Sequence, residues 1–398
     1  MDRTYDVLTR PVAGRGFTLK NALAIQPMEG CDAEAGGAPG DWTLRRYQRF
    51  ADGGAGLIWA EAIGVSEDAR GNPRQLMLTE DNVGAFTALT DAARARGAVI
   101  IAQLTHSGRF SHPAPIRACA HPALDARQKL GEDYPIVADD ALARLPEQFA
   151  RAARLAMRAG FHGVDVKACH LYLYSELLGA VDRPGRYGGS YENRVRLLKD
   201  TVQAVKPELD GGILASRLNL YDGEAGNWGV GEGLAPDYTE PLRLVGELSE
   251  MGVSLMNITM GTPYLNPHVN RPYSSGGYAP PEPPEVGVSR LLEGCRAAQA
   301  AAGDAVCVAT GFSHLRHRAP KVAATLIESG GARAAGFGRM AFAYPDFARD
   351  ILENGGMDAK KCCVTCSLCT KIMRAGGRVG CPVRDRDLYL PELRRVTT

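Results

Sequence analysis

Short apolar runs alternate with amphipathic segments along most of this chain. A continuous run rich in Val, Ile, Leu and Ala is typical of a buried strand. The segments between the runs repeat apolar residues at helical spacing, and most end at Gly, whose left-handed cap lets the next strand begin. The pattern predicts strands at 23–28, 57–61, 98–103, 163–166, 213–217, 254–258, 305–309 and 334–337. It predicts helices at 42–51, 81–96, 147–159, 193–206, 241–251, 291–302 and 321–329.

Eight strands alternating with helices predict the α/β class and a (β/α)8, or TIM, barrel, whose usual size is about 250 residues plus insertions. The competing architecture is a doubly wound open sheet, which predicts a Gly-x-Gly-x-x-Gly turn after the first strand. Pro27-Met28-Glu29-Gly30-Cys31 stands there instead, so the barrel is favoured. We expect a barrel domain over residues 1–345 and a short cysteine-rich extension over 346–398.

Two strand-to-helix loops are long. The first follows Gln103 and holds His106 and Arg109, which we expect to organise the loop. The second follows the sixth strand and holds Tyr264 and His268, which are candidates for a substrate wall and equally plausible as exposed loop residues. Long loops inside a compact domain are usually functional lids, and both leave the barrel at the end where active sites form.

Composition narrows the class of protein. The chain has 398 residues, 45% of them hydrophobic, and a net charge of +1 without a basic run or an acidic tail. This balance argues against nucleic acid or a membrane surface as a partner. No stretch has the apolar length of a membrane-spanning helix, and the first residues lack an apolar signal core, so we expect a cytoplasmic protein.

The ten cysteines are unevenly placed, with five of them between Cys362 and Cys381. The spacing Cys363-x2-Cys366-x2-Cys369-x11-Cys381-Pro is typical of four-cysteine iron–sulfur sites, whereas structural zinc sites more often show two C-x2-C knuckles. Cys362 is an alternative first ligand. The scattered cysteines are expected to be packing residues; they are Cys31, Cys119, Cys169, Cys295 and Cys307.

The segment after the fourth predicted strand carries the densest chemistry. Lys167, His170 and Tyr172 follow where ordinary turn residues would stand, and Tyr-Gly-Gly-Ser-Tyr-Glu-Asn-Arg-Val-Arg follows at 187–196. Titratable groups at the carboxyl end of a barrel strand are typical of an active site. An isolated His and Tyr would more often only pack a loop, but the neighbouring motif favours a site.

This segment resembles the old yellow enzyme-like NADH:flavin oxidoreductase family, in particular its iron–sulfur branch, which includes 2,4-dienoyl-CoA reductase and trimethylamine dehydrogenase. The family pattern is His or Tyr, two residues, His or Asn, one residue, Tyr-Leu, and then YGGS-ENR-R. His170, Tyr172-Leu173 and the 187–196 motif match this pattern, and Lys167 departs from it.

The resemblance implies an FMN cofactor and a [4Fe–4S] cluster on Cys363, Cys366, Cys369 and Cys381. In the family, the residue matched by Gln103 binds the flavin pyrimidine and the residue matched by Arg217 lies near N1 and C2. In the family, the residues that flank the flavin ring are matched by Pro27, Met28, Glu29 and Ala60. Those that bind its phosphate are matched by Thr310, Gly311, Gly338 and Arg339. Cys31 is two places from the thiol that carries a covalent flavin in trimethylamine dehydrogenase, so we expect no covalent link.

The resemblance also implies the chemistry. Tyr172 would donate a proton to the substrate carbon opposite the hydride that leaves flavin N5, and a phenol with a pKa of about 10 holds that proton at neutral pH. His170 would bind a substrate carbonyl or carboxylate, and Lys167 would pair with an anionic group or stabilise an enolate. We therefore expect reduction of an activated C=C bond in an enone or enoate.

Two other functions stay open from the sequence. One is a dehydrogenase or demethylase acting on an amine or another C–H donor, with electrons leaving through the cluster, although Lys167 disfavours a cationic substrate. The other is a non-catalytic electron-transfer or zinc-stapled subunit. Larger relatives continue into FAD- and NAD(P)H-binding domains. No Gly-x-Gly-x-x-Gly follows a strand beyond the cysteines, so we expect no such domain here. We therefore expect either an electron-transfer protein or subunit as partner or NAD(P)H acting directly on FMN, together with a small-molecule substrate and a homo-oligomer.

Overall fold

The computed structural model describes residues 5–397. Eight parallel strands form a closed ring, in which the last strand pairs with the first through Ala335 and Leu23, and the first pairs with the second through Ala24 and Leu57. The strands are β1 Leu23–Ile25, β2 Leu57–Gly64, β3 Val99–Thr105, β4 Gly163–Val166, β5 Ile213–Asn219, β6 Leu255–Thr259, β7 Val306–Ala309 and β8 Ala334–Phe337. The predicted (β/α)8 barrel is confirmed.

Helices surround this ring. The longer ones are α1 Asp41–Asp52, α2 Val83–Ala95, α3 Leu145–Arg158, α4 Tyr191–Val205, α5 Thr239–Glu250, α6 Pro284–Ala301, α7 Ala319–Glu328 and α8 Phe347–Asn354. Shorter α-helices are Asp6–Thr9, Pro122–Gln128, Asp139–Leu142, Leu173–Leu178, Pro267–Asn270 and Arg339–Ala343, and a hairpin of Val12–Gly14 with Phe17–Leu19 precedes β1. Gly160 and Gly252 follow α3 and α5 with φ of 87° and 108°, which is the left-handed conformation that the sequence pattern predicts for these caps.

The core has two layers, because side chains alternate between the two faces of a strand. One layer packs the outer strand faces against the helices. The other consists of alternate residues from the barrel strands, such as Trp59, Ile101, Ala215 and Val308, and contains no buried helix residue. This second layer fills the interior of the barrel, and its alternation determines which later residues of each strand face the site.

The C-terminal extension carries α9 Leu368–Arg374 and α10 Arg386–Thr397. It packs on the barrel through Asp385, which accepts hydrogen bonds from Arg45 and Arg49 of α1. The Val379 backbone N–H also donates to the Gly30 carbonyl over 2.6 Å. The domain boundary at residue 345 stays a prediction. None of the helices within residues 5–397 combines the length and the apolar character that crossing a membrane requires.

Candidate active site

The interior of the barrel becomes polar at its carboxyl end. Gln103 lies two residues beyond Ile101 on β3, and Arg217 lies two residues beyond Ala215 on β5, so each continues the inward-facing set. Lys167 lies two residues beyond Asp165, just after the end of β4, and so continues the inward-facing set in the same way. All of these polar side chains are buried. The strand ends therefore gather amides and cations around one point, where barrel active sites form.

Asp165 organises this polar end. Its carboxylate accepts hydrogen bonds from Trp59 Nε1 over 2.8 Å, from Gln103 Nε2 over 2.6 Å and from the Arg217 backbone N–H over 2.7 Å. Burial raises the pKa of Asp165, while these three donors oppose the rise. Asp165 therefore fixes the orientation of Gln103 and the backbone of β5. The sequence analysis missed this role, although a carboxylate inside a buried apolar run was a usable signal.

Tyr172 stands at the opening of the site. Its hydroxyl accepts a hydrogen bond from the Tyr264 hydroxyl over 3.2 Å, and Phe110 stacks on Tyr264 with ring centroids 3.5 Å apart. The Lys167 ammonium lies 3.8 Å from the centroid of the Tyr172 ring. Burial raises the pKa of Tyr172 well above its ordinary value. The phenol is therefore protonated at neutral pH, and the second long loop brings Tyr264 into hydrogen-bond contact with it.

His170 is held in an unusual backbone conformation, with a φ of 67° followed by 57° at Leu171. Non-glycine residues rarely adopt positive φ, and such strain persists only where surrounding contacts maintain it. One of these contacts is Asn270, whose Nδ2 lies 3.0 Å from His170 Nε2 and 3.1 Å from the Met260 carbonyl oxygen. The sequence analysis missed Asn270, which belongs to no motif.

This contact assigns the proton on the imidazole. The Met260 carbonyl only accepts hydrogen bonds, so the side of Asn270 that faces it must be the amide N–H2. His170 Nε2 then accepts from Asn270, and the ring proton lies on Nδ1. Burial lowers the pKa of His170 well below its ordinary value, and the Arg217 and Lys167 charges lower it further. His170 is therefore a neutral imidazole whose Nδ1–H is the available donor.

The other loop histidine lies apart from this group. His268 Nδ1 is 2.6 Å from the Tyr278 hydroxyl, with which it also makes an edge-on ring contact. Within the described residues, its hydrogen bond is to Tyr278 and not to Tyr172 or His170. Its candidacy for the substrate wall receives no support from this geometry.

The first long loop is anchored by Arg109, whose side chain is fully buried. Arg109 donates to Glu176 through Nε over 3.0 Å and to the Cys119 carbonyl through Nη2 over 2.7 Å, and it pairs with Asp125. His106 accepts from the Gly108 backbone N–H over 3.1 Å, and burial lowers its pKa to about 4. Arg109 thus joins the loop to the helix that follows Tyr172, in agreement with its predicted organising role.

The connection that follows the first strand brings a second carboxyl to the site. Glu29 accepts from Asn72 Nδ2 over 2.5 Å, and burial raises its pKa while the Lys167 charge opposes the rise. Cys31 is buried beside it, and burial raises the pKa of this thiol well above its ordinary value.

β1 ends at Ile25, so the predicted strand end at Met28 is wrong. Pro27, Met28 and Glu29 instead lie in the connection that leaves the ladder, and Ala60 is buried on β2.

The predicted phosphate-binding residues lie at the ends of two paired strands, β7 and β8. Gly311 has a φ of 103°, which a side chain would strain. Arg339 is buried and donates through Nη2 to the Pro272 carbonyl over 2.6 Å. Thr310 and Gly338 are the other two predicted members, and each neighbours one of these residues in the chain. The barrel thus brings the two segments together.

Comparison with known proteins settles the family. The model of the NADH:flavin oxidoreductase / NADH oxidase family matches residues 8–242, more than half of the chain. The chain belongs to this family. It is a flavin-dependent oxidoreductase, and FMN is the family's cofactor. Its similarity to NADPH dehydrogenase from Geobacillus thermodenitrificans is 30% identity over 260 residues, which cover 64% of this chain and 73% of that one.

Solved structures of two larger proteins show the same fold. A 2-naphthoyl-CoA reductase complex matches with a TM-score of 0.79 and 20% identity, over 98% of this chain and 58% of the other. The 6-hydroxypseudooxynicotine amine oxidase from Pseudomonas geniculata N1 matches with a TM-score of 0.74 and 21% identity, over 96% and 54%. The chain thus spans a little over half the length of each, and the shared fold includes most of the C-terminal extension.

The residues of this flavin oxidoreductase fit FMN. An unpaired buried polar atom costs about 1–3 kcal/mol, so a group of such atoms in one place indicates a ligand. Asn257 Nδ2 donates to Gln26 Oε1 over 2.6 Å, yet Asn257 Oδ1 and Gln26 Nε2 have no hydrogen-bond partner. The sequence analysis missed both residues. Within residues 5–397, the buried strand-end atoms without a hydrogen-bond partner include Gln26 Nε2, Thr105 Oγ1, Arg217 Nε, Asn257 Oδ1 and Arg339 Nη1. Amides and a cation suit the flavin pyrimidine, and a free guanidinium N–H suits the phosphate.

The four motif cysteines of the flavin oxidoreductase line a single cavity, together with apolar residues and Arg339. Cys362 is directed elsewhere, because its Sγ donates to the Asp358 carbonyl over 3.3 Å and it does not line the cavity. In the part of the chain that the structure describes, no three Cys, His, Asp or Glu side chains converge as they would around one metal ion. The cavity is lined by Cys363, Cys366, Cys369 and Cys381, with Phe342, Val364, Ser367, Pro382, Val383 and Arg384.

Proposed function

We propose that this flavin oxidoreductase reduces a C=C bond conjugated to a carbonyl or carboxyl group. The observation that carries the proposal is that two donors follow β4, each held by a hydrogen bond: the Tyr172 phenol beside the Tyr264 hydroxyl, and the His170 imidazole beside Asn270. Reduced FMN, when bound, supplies a hydride from N5. The protein then has to bind the substrate oxygen, orient the double bond and deliver one proton.

Each step has a residue in place. His170 Nδ1–H donates to the substrate oxygen, and Asn270 holds the imidazole in this tautomer. Tyr172 delivers its proton to the carbon next to the carbonyl, while the Tyr264 hydroxyl donates to the phenolate that remains. A donor already aligned with the developing oxyanion needs no rearrangement during the reaction, which is how such groups lower the barrier.

We also propose the residues that hold FMN. Gln103 and Arg217 bind the pyrimidine edge, and Thr310, Gly311, Gly338 and Arg339 bind the phosphate. Pro27, Met28, Glu29 and Ala60 flank the ring. The unpaired polar atoms at these strand ends support this assignment.

We infer that the cysteine cavity holds a [4Fe–4S] cluster on Cys363, Cys366, Cys369 and Cys381. The supporting observations are the ligand spacing, the lining of one cavity by all four cysteines, and the exclusion of Cys362 from it. A cluster exchanges single electrons, which suits an electron-transfer protein or subunit as partner. NAD(P)H acting directly on FMN is the alternative electron source.

The cofactor test is an anaerobic visible spectrum of purified protein with assays for iron and acid-labile sulfide. We expect flavin bands and about four irons per chain, and loss of iron and sulfide in Cys363→Ser with retention in the control Cys295→Ser. Zinc without sulfide would contradict the cluster, and absence of flavin would contradict the catalytic proposal.

The catalytic test is flavin reoxidation by cyclohex-2-enone after chemical reduction of the protein, followed by stopped flow. Tyr172→Phe should slow reoxidation by about 10²–10⁴-fold, the usual contribution of a general acid. Tyr134→Phe, which removes a hydroxyl bonded only to a loop carbonyl, is the control. Reoxidation by amine oxidation products instead of enones, or an unaffected Tyr172→Phe, would contradict the proposal.

A further inference from the structure

Lys167 is the position where this chain departs from its family's motif, and its surroundings are unusual. Its side chain is 5% exposed. Within residues 5–397, its ammonium has no hydrogen-bond acceptor and no carboxylate oxygen within 4.0 Å. Its Nζ lies 3.8 Å from the centroid of the Tyr172 ring. The residue is buried, while its ammonium remains accessible beside the Tyr172 ring, and a cation held there without a counterion calls for a ligand with acceptor atoms.

The charges around Lys167 do not supply that partner. Burial lowers its pKa, and Arg217 lowers it further, while Cys169, Glu29 and Asp165 favour the charged form from a distance. Glu29 is already bonded to Asn72, and Asp165 already accepts three hydrogen bonds. All three N–H bonds of the ammonium therefore remain for a ligand. That ligand must carry acceptor atoms, and a negative charge on it would favour the charged form of the lysine.

We propose that Lys167 binds the carboxylate of the substrate and makes α,β-unsaturated carboxylates the preferred substrates over neutral enones. This inference rests on the proposed reduction of a conjugated C=C bond. A carboxylate has two oxygens, and the site offers two donors, His170 Nδ1–H and Lys167 Nζ. Lys167 is near enough to His170 for its charge to lower the pKa of the imidazole. A ketone would use His170 alone and leave the ammonium unpaired.

The chemistry of the reaction explains why a cation is needed. Hydride addition to the β carbon of an enoate places a second negative charge on a group that already carries one. Carboxylates are for this reason poorer acceptors than ketones, and an adjacent ammonium stabilises the added charge. The C=C π bond is replaced by two C–H bonds, one from the hydride and one from the Tyr172 proton. The reduced cofactor loses two electrons, and Tyr172 recovers its proton from solvent.

The test uses two substrates that differ only in the activating group, 2-methylbut-2-enoate and 3-methylpent-3-en-2-one. We expect chemically reduced wild-type protein to be reoxidised by the carboxylate with the larger kcat/KM. Lys167→Met should lower that value by about 100-fold or more and change the ketone value only a few-fold, since truncating one partner of a buried charge pair has effects of this size. Lys167→Arg should recover part of the carboxylate activity.

A binding measurement gives a second readout that needs no turnover. The saturated acid 2-methylbutanoate should perturb the flavin spectrum of the oxidised protein, and its Kd should weaken in Lys167→Met, at matched flavin content. A preference of wild-type protein for the ketone would overturn the inference, as would equal losses on both substrates, which would assign Lys167 to the Tyr172 ring. Failure of both substrates to reoxidise the flavin would instead overturn the proposed function.

Discussion

Replacing Arg109 by Met tests whether the first long loop is held by one buried ion network. Arg109 is 0% exposed and its partner Glu176 is 1% exposed. The substitution keeps the apolar stem and removes the guanidinium, which leaves the Glu176 carboxylate buried without a cation. Breaking a buried pair in this way costs roughly 3–5 kcal/mol in free energy of unfolding.

The assay is urea unfolding of the FMN-saturated protein, followed by far-UV circular dichroism. The matched control is Arg154→Met, which removes a pair with Glu208 in which the arginine is 59% exposed. Such surface pairs contribute less than about 1 kcal/mol. The double variant Arg109→Met/Glu176→Leu should recover much of the loss, because the fully buried Glu176 charge is gone and the other carboxylate partner of Arg109, Asp125, still pairs with Arg117.

The loss of unfolding free energy in Arg109→Met should also depend on pH. Burial raises the pKa of Glu176, and removing Arg109 takes away the charge that opposes this rise. Acid then protonates the orphaned carboxyl, so the difference between Arg109→Met and wild type should shrink as the pH falls. A loss no greater than that of Arg154→Met, or a double variant no more stable than the single one, would refute the reasoning.

Two further changes test the site, and a third tests Asp222, a buried residue after β5 whose carboxyl accepts a hydrogen bond from Asn219 Nδ2 over 2.6 Å. Asn270→Asp places a carboxylate beside His170 Nε2, so the ring proton should move to Nε2 and kcat should fall by about tenfold. ¹⁵N-histidine NMR measures the tautomer, and the pH–rate profile measures its effect on turnover. An unchanged tautomer would contradict the assignment. Burial raises the pKa of Asp222 from 3.8 to about 7, so folding favours its protonated form and stability should fall as the pH rises from about 4 to about 7, by at most about 1.4 kcal/mol per pH unit. Asp222→Asn should flatten this slope in urea midpoints at pH 5 and pH 8, and an equal slope in both proteins would exclude Asp222 as the cause. Arg339→Met should weaken FMN binding about tenfold or more by fluorescence titration, with the loop variant His268→Ala unchanged. Equal affinity of Arg339→Met and wild type would remove Arg339 from the phosphate site.

The sequence by itself determined the architecture. The eight barrel strands and helices α1 to α7 follow from local patterns, and eight repeats of one pattern have few closed arrangements other than the barrel. The hairpin before β1, α8 and the two helices of the extension were not predicted. It also indicated the chemistry of single segments, because Lys167, His170 and Tyr172 lie within six residues of one another and leave the barrel together. Gln103 and Arg217 were predicted from matches at strand ends, and the structure places both inside the barrel.

Only the tertiary structure decided which distant groups meet. Asn270 and His170 are 100 positions apart, and Asn257 and Gln26 are 231 apart, so no local pattern links either pair. The structure also shows two contacts that the sequence pattern did not predict, His268 with Tyr278 and Cys362 Sγ with the Asp358 carbonyl. The choice of Cys363 as the first cluster ligand stays a prediction from the x2 spacing. The physical reason is that periodicity fixes the face on which a side chain lies, whereas its partner is fixed by closure of the barrel and by the packing of the long loops across its mouth.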